Sequence, residues 1–153
     1  MPNTYTQIYV QVVFVVQDRQ NLILEKYREK LEKYICGIVL GKKSKPIAIY
    51  CNPDHTHLLI GLNPAISISD LVRDVKASSS KWINENRWGT GTFNWQEGFG
   101  AFTYSKSQLN DVVQYILNQH EHHKRTTFKE EYLKFLKKFG IKYDEKYLFK
   151  FTD

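Results

Sequence analysis

Cysteine and proline are scarce in this chain, with two of the first and four of the second in 153 residues. Cys36 and Cys51 fit neither a disulfide framework nor a C-x-x-C zinc spacing, so both are expected as partly buried thiols in a reducing cytoplasm. Long apolar runs are also missing. The stretch Tyr9 to Val16 is broken by Gln11 and bounded by Gln17, Asp18 and Arg19, well short of a membrane span. No signal peptide, anchor, internal repeat, low-complexity segment or linker is evident. These absences point away from disulfide-stapled secreted scaffolds and membrane-spanning proteins. They leave one domain over residues 1–153, with a core over about 5–124 and a helical extension over about 126–153.

Aromatic material and positive charge are present instead. A chain that is 42% apolar and 14% aromatic has enough material for a core. The net charge of +6 favours a polyanionic partner without identifying one.

Apolar residues alternate along Ile8, Val10, Val12, Phe14 and Val16, the pattern of a strand with one buried face; Gln7, Tyr9 and Gln11 make the other face partly polar. Leu24, Tyr27, Leu31, Tyr34, Ile35 and Ile38 recur at helical spacing as far as Gly41. Ile47–Tyr50 and His55–Leu62 read as two strands of a hairpin around Asn52, Pro53 and Asp54. Ser67 precedes a second amphipathic helix through Ile83, and a short strand is predicted near Phe99–Tyr104. Ser105 and Gln108 form a capping-box pattern opening a third helix to about His123, and a shorter helix runs from Phe128 to Phe139. This order predicts an α+β fold of the ferredoxin-like or RRM-like kind: an antiparallel sheet with helices on one face and the other face open for function.

His55 and His57, two apart on a strand, leave the same face, while Thr56, Leu58 and Ile60 point the other way. The mostly apolar set faces the helices, so both imidazoles are expected on the open face, where they can converge on one ion. On the third helix, Leu109, Val112, Val113 and Ile116 form the buried stripe, and Tyr115 and Gln119 lie one turn apart on its flank. Taken separately, two surface histidines and a partly exposed tyrosine are ordinary outcomes.

Together these residues resemble a known family. The run from Pro53 to Ile60, with His55 and His57, resembles the HUH motif of single-tyrosine transposases, among them insertion-sequence transposases and REP-associated tyrosine transposases. Tyr115 to Gln119 resembles their catalytic-helix motif, with His122 and His123 following. Tyr5 to Tyr9 and Asn94 to Gly98 are also similar to family segments, so the resemblance spans nearly the whole chain. It departs at Thr56, where the family usually has a bulky apolar residue.

The resemblance implies a DNA transposase that recognises hairpin-bearing or palindromic ends. Such an enzyme cleaves and rejoins single-stranded DNA through a covalent 5′-phosphotyrosine. Tyr115 is then the nucleophile, and His55, His57 and Gln119 hold a divalent metal, Mg²⁺ or Mn²⁺, whose open positions suit water and phosphate oxygen. It also implies a homodimer in the bacterial cytoplasm, with no membrane partner, and leaves open whether Tyr115 meets its own histidines or the partner's. A domesticated hairpin-binding protein without mobilising activity and a phosphodiesterase using water are the alternatives.

Lys42, Lys43, Lys45 and Arg87 are candidate DNA-backbone contacts, as are Lys76 and Lys81; His122 is a candidate phosphate contact or proton relay. Trp88, Phe93 and Trp95 either stack on bases or pack inside. Gly98 and Gly100, before the catalytic helix, are ordinary turn residues or its hinge. For the tail from Phe128 to Asp153, packing on the body is the preferred reading.

Overall fold

The computed structural model describes residues 3–17, 22–89 and 91–151. Asp18 and Arg19, which bound the first predicted strand, and the tail's last two residues lie outside them. The alternation at the N-terminus forms β1 (Tyr9–Val15), which sends Val10, Val12 and Phe14 to one side and Gln11, Val13 and Val15 to the other. Helix α1 (Glu25–Gly41) follows, then β2 (Lys45–Cys51) and β3 (His55–Gly61), joined by the expected turn. Helix α2 (Ile68–Glu85) starts where Ser67 Oγ accepts from the Asp70 amide at 3.0 Å, a cap that contributes about 1 kcal/mol. Strand β4 (Gly100–Tyr104) completes a sheet of order β2-β3-β1-β4 with every pair antiparallel. The α+β class and strand–helix order read from the sequence are therefore those of the molecule.

Helices α1 and α2 cover the sheet face carrying Val10, Val12, Phe14, Leu58 and Ile60. Phe93 and Trp95 belong to this core, with Trp95 set edge-on to Phe14 at 4.7 Å and its indole N–H donated to Ser79. Trp88 stacks on Tyr27 at 4.3 Å. All three aromatics are packing residues, turned inward rather than held out for bases. Cys36 and Cys51 are free thiols.

The second face is not open. The capping box of Ser105 and Gln108 forms as expected, around a 3-10 turn that leads into α3 (Leu109–Leu117). The helix does not continue straight to His123. Asn118, at φ −98° and ψ 18°, separates α3 from the single turn α4 (Gln119–His122). Helix α5 (Phe128–Lys138) then crosses the sheet, held at its start by a reciprocal capping box between Thr127 and Glu130. Phe128, Tyr132 and Leu136 of α5 pack with Phe149 of the tail on Val13, Val15 and Phe102. Val112 and Ile116 of α3 cover Ala48 and Leu59. The imidazole face is thus roofed by both helices, because α5 carries an apolar stripe that needs burial as much as the sheet does.

Gly98 and Gly100 set the approach to β4. Gly98 has φ +83°, a conformation natural to glycine. At Gly100 a Cβ would stand 2.7 Å from the Tyr132 hydroxyl, so its bare backbone lets α5 lie close to the strand.

Candidate active site

Antiparallel pairing sets His57 opposite Val13 and His55 opposite Val15, so both imidazoles stand on the face beneath α3 and α5. Thr56 sits between them on the far side, opposite Phe14 and Cys51, and its departure from the family pattern leaves the histidines' direction unchanged. His55 and His57 are 1% and 0% exposed, Gln119 0% and Glu131 3%. Four polar side chains this deep in a domain require partners.

Glu131, on α5, supplies much of that partnership. Its Oε1 lies 3.0 Å from His57 Nε2, 3.4 Å from His55 Nε2 and 3.4 Å from His123 Nε2. Its Oε2 accepts from the Tyr115 hydroxyl, accepts from Gln119 Nε2 at 3.1 Å, and lies 3.2 Å from His122 Nε2. The Tyr115 hydroxyl is also 3.2 Å from His122 Nε2, and its ring meets that of His57 edge-on at 6.0 Å. Tyr115 therefore stands against the histidine pair of its own chain. Gln119 Oε1 accepts from Asn52 Nδ2 at 3.1 Å and lies 3.0 Å from His123 Nε2.

Each inward histidine is held from behind. His55 Nδ1 is 2.7 Å from Asp54 Oδ1, His57 Nδ1 is 2.8 Å from Gln11 Oε1, and His123 Nδ1 is 2.9 Å from the Thr126 carbonyl. All three partners are acceptors, Gln11 because its amide nitrogen donates to the Tyr104 hydroxyl. Each Nδ1 therefore carries the proton, and each Nε2 turns inward. The ligand atoms of His55, His57, His123 and Glu131 lie within 4.8 Å of one another, a group suited to a metal ion.

The electrostatics follow from burial and this carboxylate. Burial pushes Glu131 toward protonation, but its interactions with the imidazoles of His57, His123 and His55 outweigh it and hold the carboxyl well below the usual range. Burial lowers His57. Burial acts likewise on His55, but hydrogen bonds to Asp54 and Glu131 prevail and raise it. The opposite directions are consistent, since His55 has a carboxylate of its own behind it and His57 only an amide. Burial and the charge of Glu131 push the Tyr115 phenol far above its ordinary value.

Beside Tyr115 a cavity of about 390 Å³ is lined by Gln11, Tyr104, His122, Glu131, Lys134 and Lys138 among others. A larger hollow of about 780 Å³, between Asn94 and Gln96 and the tail around Tyr147, is lined by none of these histidines. The two lysines at the first cavity add positive charge where an anion would enter.

The structure brings His55, His57, Tyr115, Gln119 and His122 together. It does not bring the basic loop to them. Lys45 pairs with Gly61 at the opposite end of β3 from His55, roughly 20 Å away by strand rise. Lys42 is ion-paired to Asp74 at 2.8 Å, and Arg87 follows α2, which packs on the other face. Sequence reasoning missed Glu131, His123 and Gln11. One signal was legible: Glu131 interrupts the stripe Phe128, Tyr132, Phe135, Leu136 and Phe139, where a lone carboxylate needs a buried partner.

Comparison with known proteins agrees. A family model described as IS200-like transposase matches residues 4–119. The ISDra2 transposase TnpA of Deinococcus radiodurans is 23% identical over 122 residues, covering 75% of this chain and 86% of that protein. A crystal structure described as a transposase from the same organism superposes with a TM-score of 0.59 at 21% identity, covering 76% of this chain and 94% of the other. A REP-associated tyrosine transposase bound to a REP hairpin superposes with a TM-score of 0.60 at 16% identity, covering 79% and 72%. No helix among the described residues is long and apolar enough to cross a membrane.

Proposed function

The chain belongs to the IS200-like transposase family, and from that premise we propose that it cuts and rejoins single-stranded DNA at hairpin-bearing ends, with Tyr115 as nucleophile. The observation that carries this reading is the Tyr115 hydroxyl standing beside the His55 and His57 pair in one buried site. His55, His57 and Gln119 hold a divalent ion, Mg²⁺ or Mn²⁺, and the enzyme works as a cytoplasmic homodimer. The fit of the ion rests on the inward imidazole nitrogens, each fixed by an acceptor on its far side. When bound, the ion polarises the scissile phosphodiester and neutralises its charge.

The chain's own residues position and deprotonate the nucleophile. A buried phenol beside a carboxylate resists losing its proton, and His122 Nε2, 3.2 Å from the hydroxyl, is placed to accept it. The tyrosine oxygen then attacks phosphorus. The bond to the 3′ oxygen breaks and that oxygen takes up a proton, leaving a 5′-phosphotyrosine and a free 3′-hydroxyl. The phosphodiester energy is conserved in the tyrosine ester, so attack by a 3′-hydroxyl rejoins strands without a nucleotide cofactor. Lys134 and Lys138, at the cavity mouth, and His122 serve as phosphate contacts. Lys42, Lys43, Lys45 and Arg87 extend the backbone contact away from the centre.

The test is incubation with a labelled single-stranded hairpin oligonucleotide and Mg²⁺ or Mn²⁺, followed by denaturing electrophoresis. A protein–DNA adduct that survives denaturation and is lost in Tyr115→Phe is expected. Cleavage that persists in Tyr115→Phe would remove the nucleophile assignment, and hairpin binding without cleavage would identify a domesticated binding protein.

A further inference from the structure

We propose that Glu131 and His123 are metal ligands in addition to the histidine pair, so that the ion is held partly by the segment beyond Gln119. This deepens the metal-centre reading above and rests on it. The family match ends at residue 119, so neither residue falls within it.

Three observations carry the proposal. His123 is prepared as the other two histidines are: the Thr126 carbonyl accepts from its Nδ1 at 2.9 Å and leaves Nε2 facing the centre. Such a hydrogen bond behind the ring is the usual companion of a metal-ligating histidine. Second, Glu131 Oε1 stands 3.0, 3.4 and 3.4 Å from the Nε2 atoms of His57, His55 and His123. Neighbouring ligand atoms about 2.1 Å from one ion are separated by roughly 3.0–3.4 Å, so these contacts have the spacing of a coordination shell. Third, His57 and His123, whose Nδ1 protons go to acceptors behind them, turn Nε2 lone pairs toward the same carboxylate oxygen, an arrangement of like charge that a cation resolves. His123 Nε2 also faces Gln119 Oε1 at 3.0 Å, a second arrangement that a cation resolves.

Counting Gln119, five protein atoms then serve the ion, and a six-coordinate ion keeps one place for a phosphate oxygen. The carboxylate's other oxygen, on Tyr115 and Gln119, aligns the nucleophile with the centre.

The test is Mn²⁺ binding to the full chain, by calorimetry, in the wild type, Glu131→Gln, His123→Ala and His57→Ala, with amide hydrogen exchange of the wild type with and without Mn²⁺. One Mn²⁺ per chain is expected, bound at least about tenfold more weakly by Glu131→Gln and by His123→Ala, with exchange across α5 slowed by the ion. If Glu131→Gln binds as tightly as the wild type while His57→Ala loses the ion, the histidine centre stands and this proposal falls. If wild type and His57→Ala behave alike, the metal-centre reading fails and takes this one with it. Should Glu131→Gln not fold, the wild-type exchange decides: unchanged or faster exchange across α5 overturns the proposal.

Discussion

The carboxylate of Glu131 stands 3.0 Å from Nε2 of His57, a residue 74 positions earlier in the chain. That contact joins the last long helix to an interior strand of the sheet, and it gives the centre a donor set dominated by imidazole. Borderline transition ions suit such a set better than Mg²⁺, which prefers oxygen and gives up water reluctantly. Calorimetric titration is expected to give an Mn²⁺ affinity at least roughly tenfold above that for Mg²⁺. Equal affinities would mean that oxygen atoms, rather than the histidines, dominate the site.

Gln11 fixes the proton of His57 on Nδ1 and is itself held by the Tyr104 hydroxyl. Gln11→Leu keeps the buried volume and removes the acceptor, so Mn²⁺ affinity should drop by about tenfold. Tyr104→Phe, one step further out, should cost less. Undiminished affinity in Gln11→Leu would show that the ring is oriented by something else.

Much of this site was legible because its signals are local. His55 and His57 share a face by the two-residue strand period, and Tyr115 and Gln119 share a flank by the helical turn. The same local logic does not reach His123. A helix continued without interruption puts that residue near the edge of the apolar stripe, whereas the break at Asn118 turns it into the centre and leaves His120 exposed. Gln11 looked like one polar residue on a half-open strand, since its partner His57 is set by β1–β3 register, which no short window contains. The roofing of the second face was hidden for the same reason. Phe128, Tyr132 and Leu136 announce an apolar stripe but not the surface it covers.

That stripe makes the extension structural. A chain cut after residue 125 would expose Val13, Val15 and Phe102 and lose Phe128, Tyr132 and Leu136, each worth about 1.5–3 kcal/mol of burial. Gel filtration and circular dichroism of the truncated chain should show aggregation or loss of cooperative unfolding. A monodisperse product melting at the wild-type temperature would contradict this role.

Alkaline pH probes the same packing. Burial pushes the Tyr132 hydroxyl up to about 12, against roughly 10 for a free phenol. The folded state keeps a proton that the unfolded chain releases, so the contribution is complete below about pH 10 and disappears as pH rises toward 12. Thermal midpoints of the wild type should fall across that window, and Tyr132→Phe should fall less steeply. Parallel slopes for the two proteins would exclude Tyr132 as a source of the alkaline loss.

Because Glu131 lies on α5, the site is finished late in the protein's own synthesis. The ribosome delivers β1, β3 and the tyrosine helix first, and the remaining residues emerge at about 5–20 per second. For the seconds that this takes, the nascent chain carries Tyr115 and the histidine pair without the carboxylate that joins them. The buried cluster around Glu131 therefore forms only once α5 has emerged and packed onto the sheet.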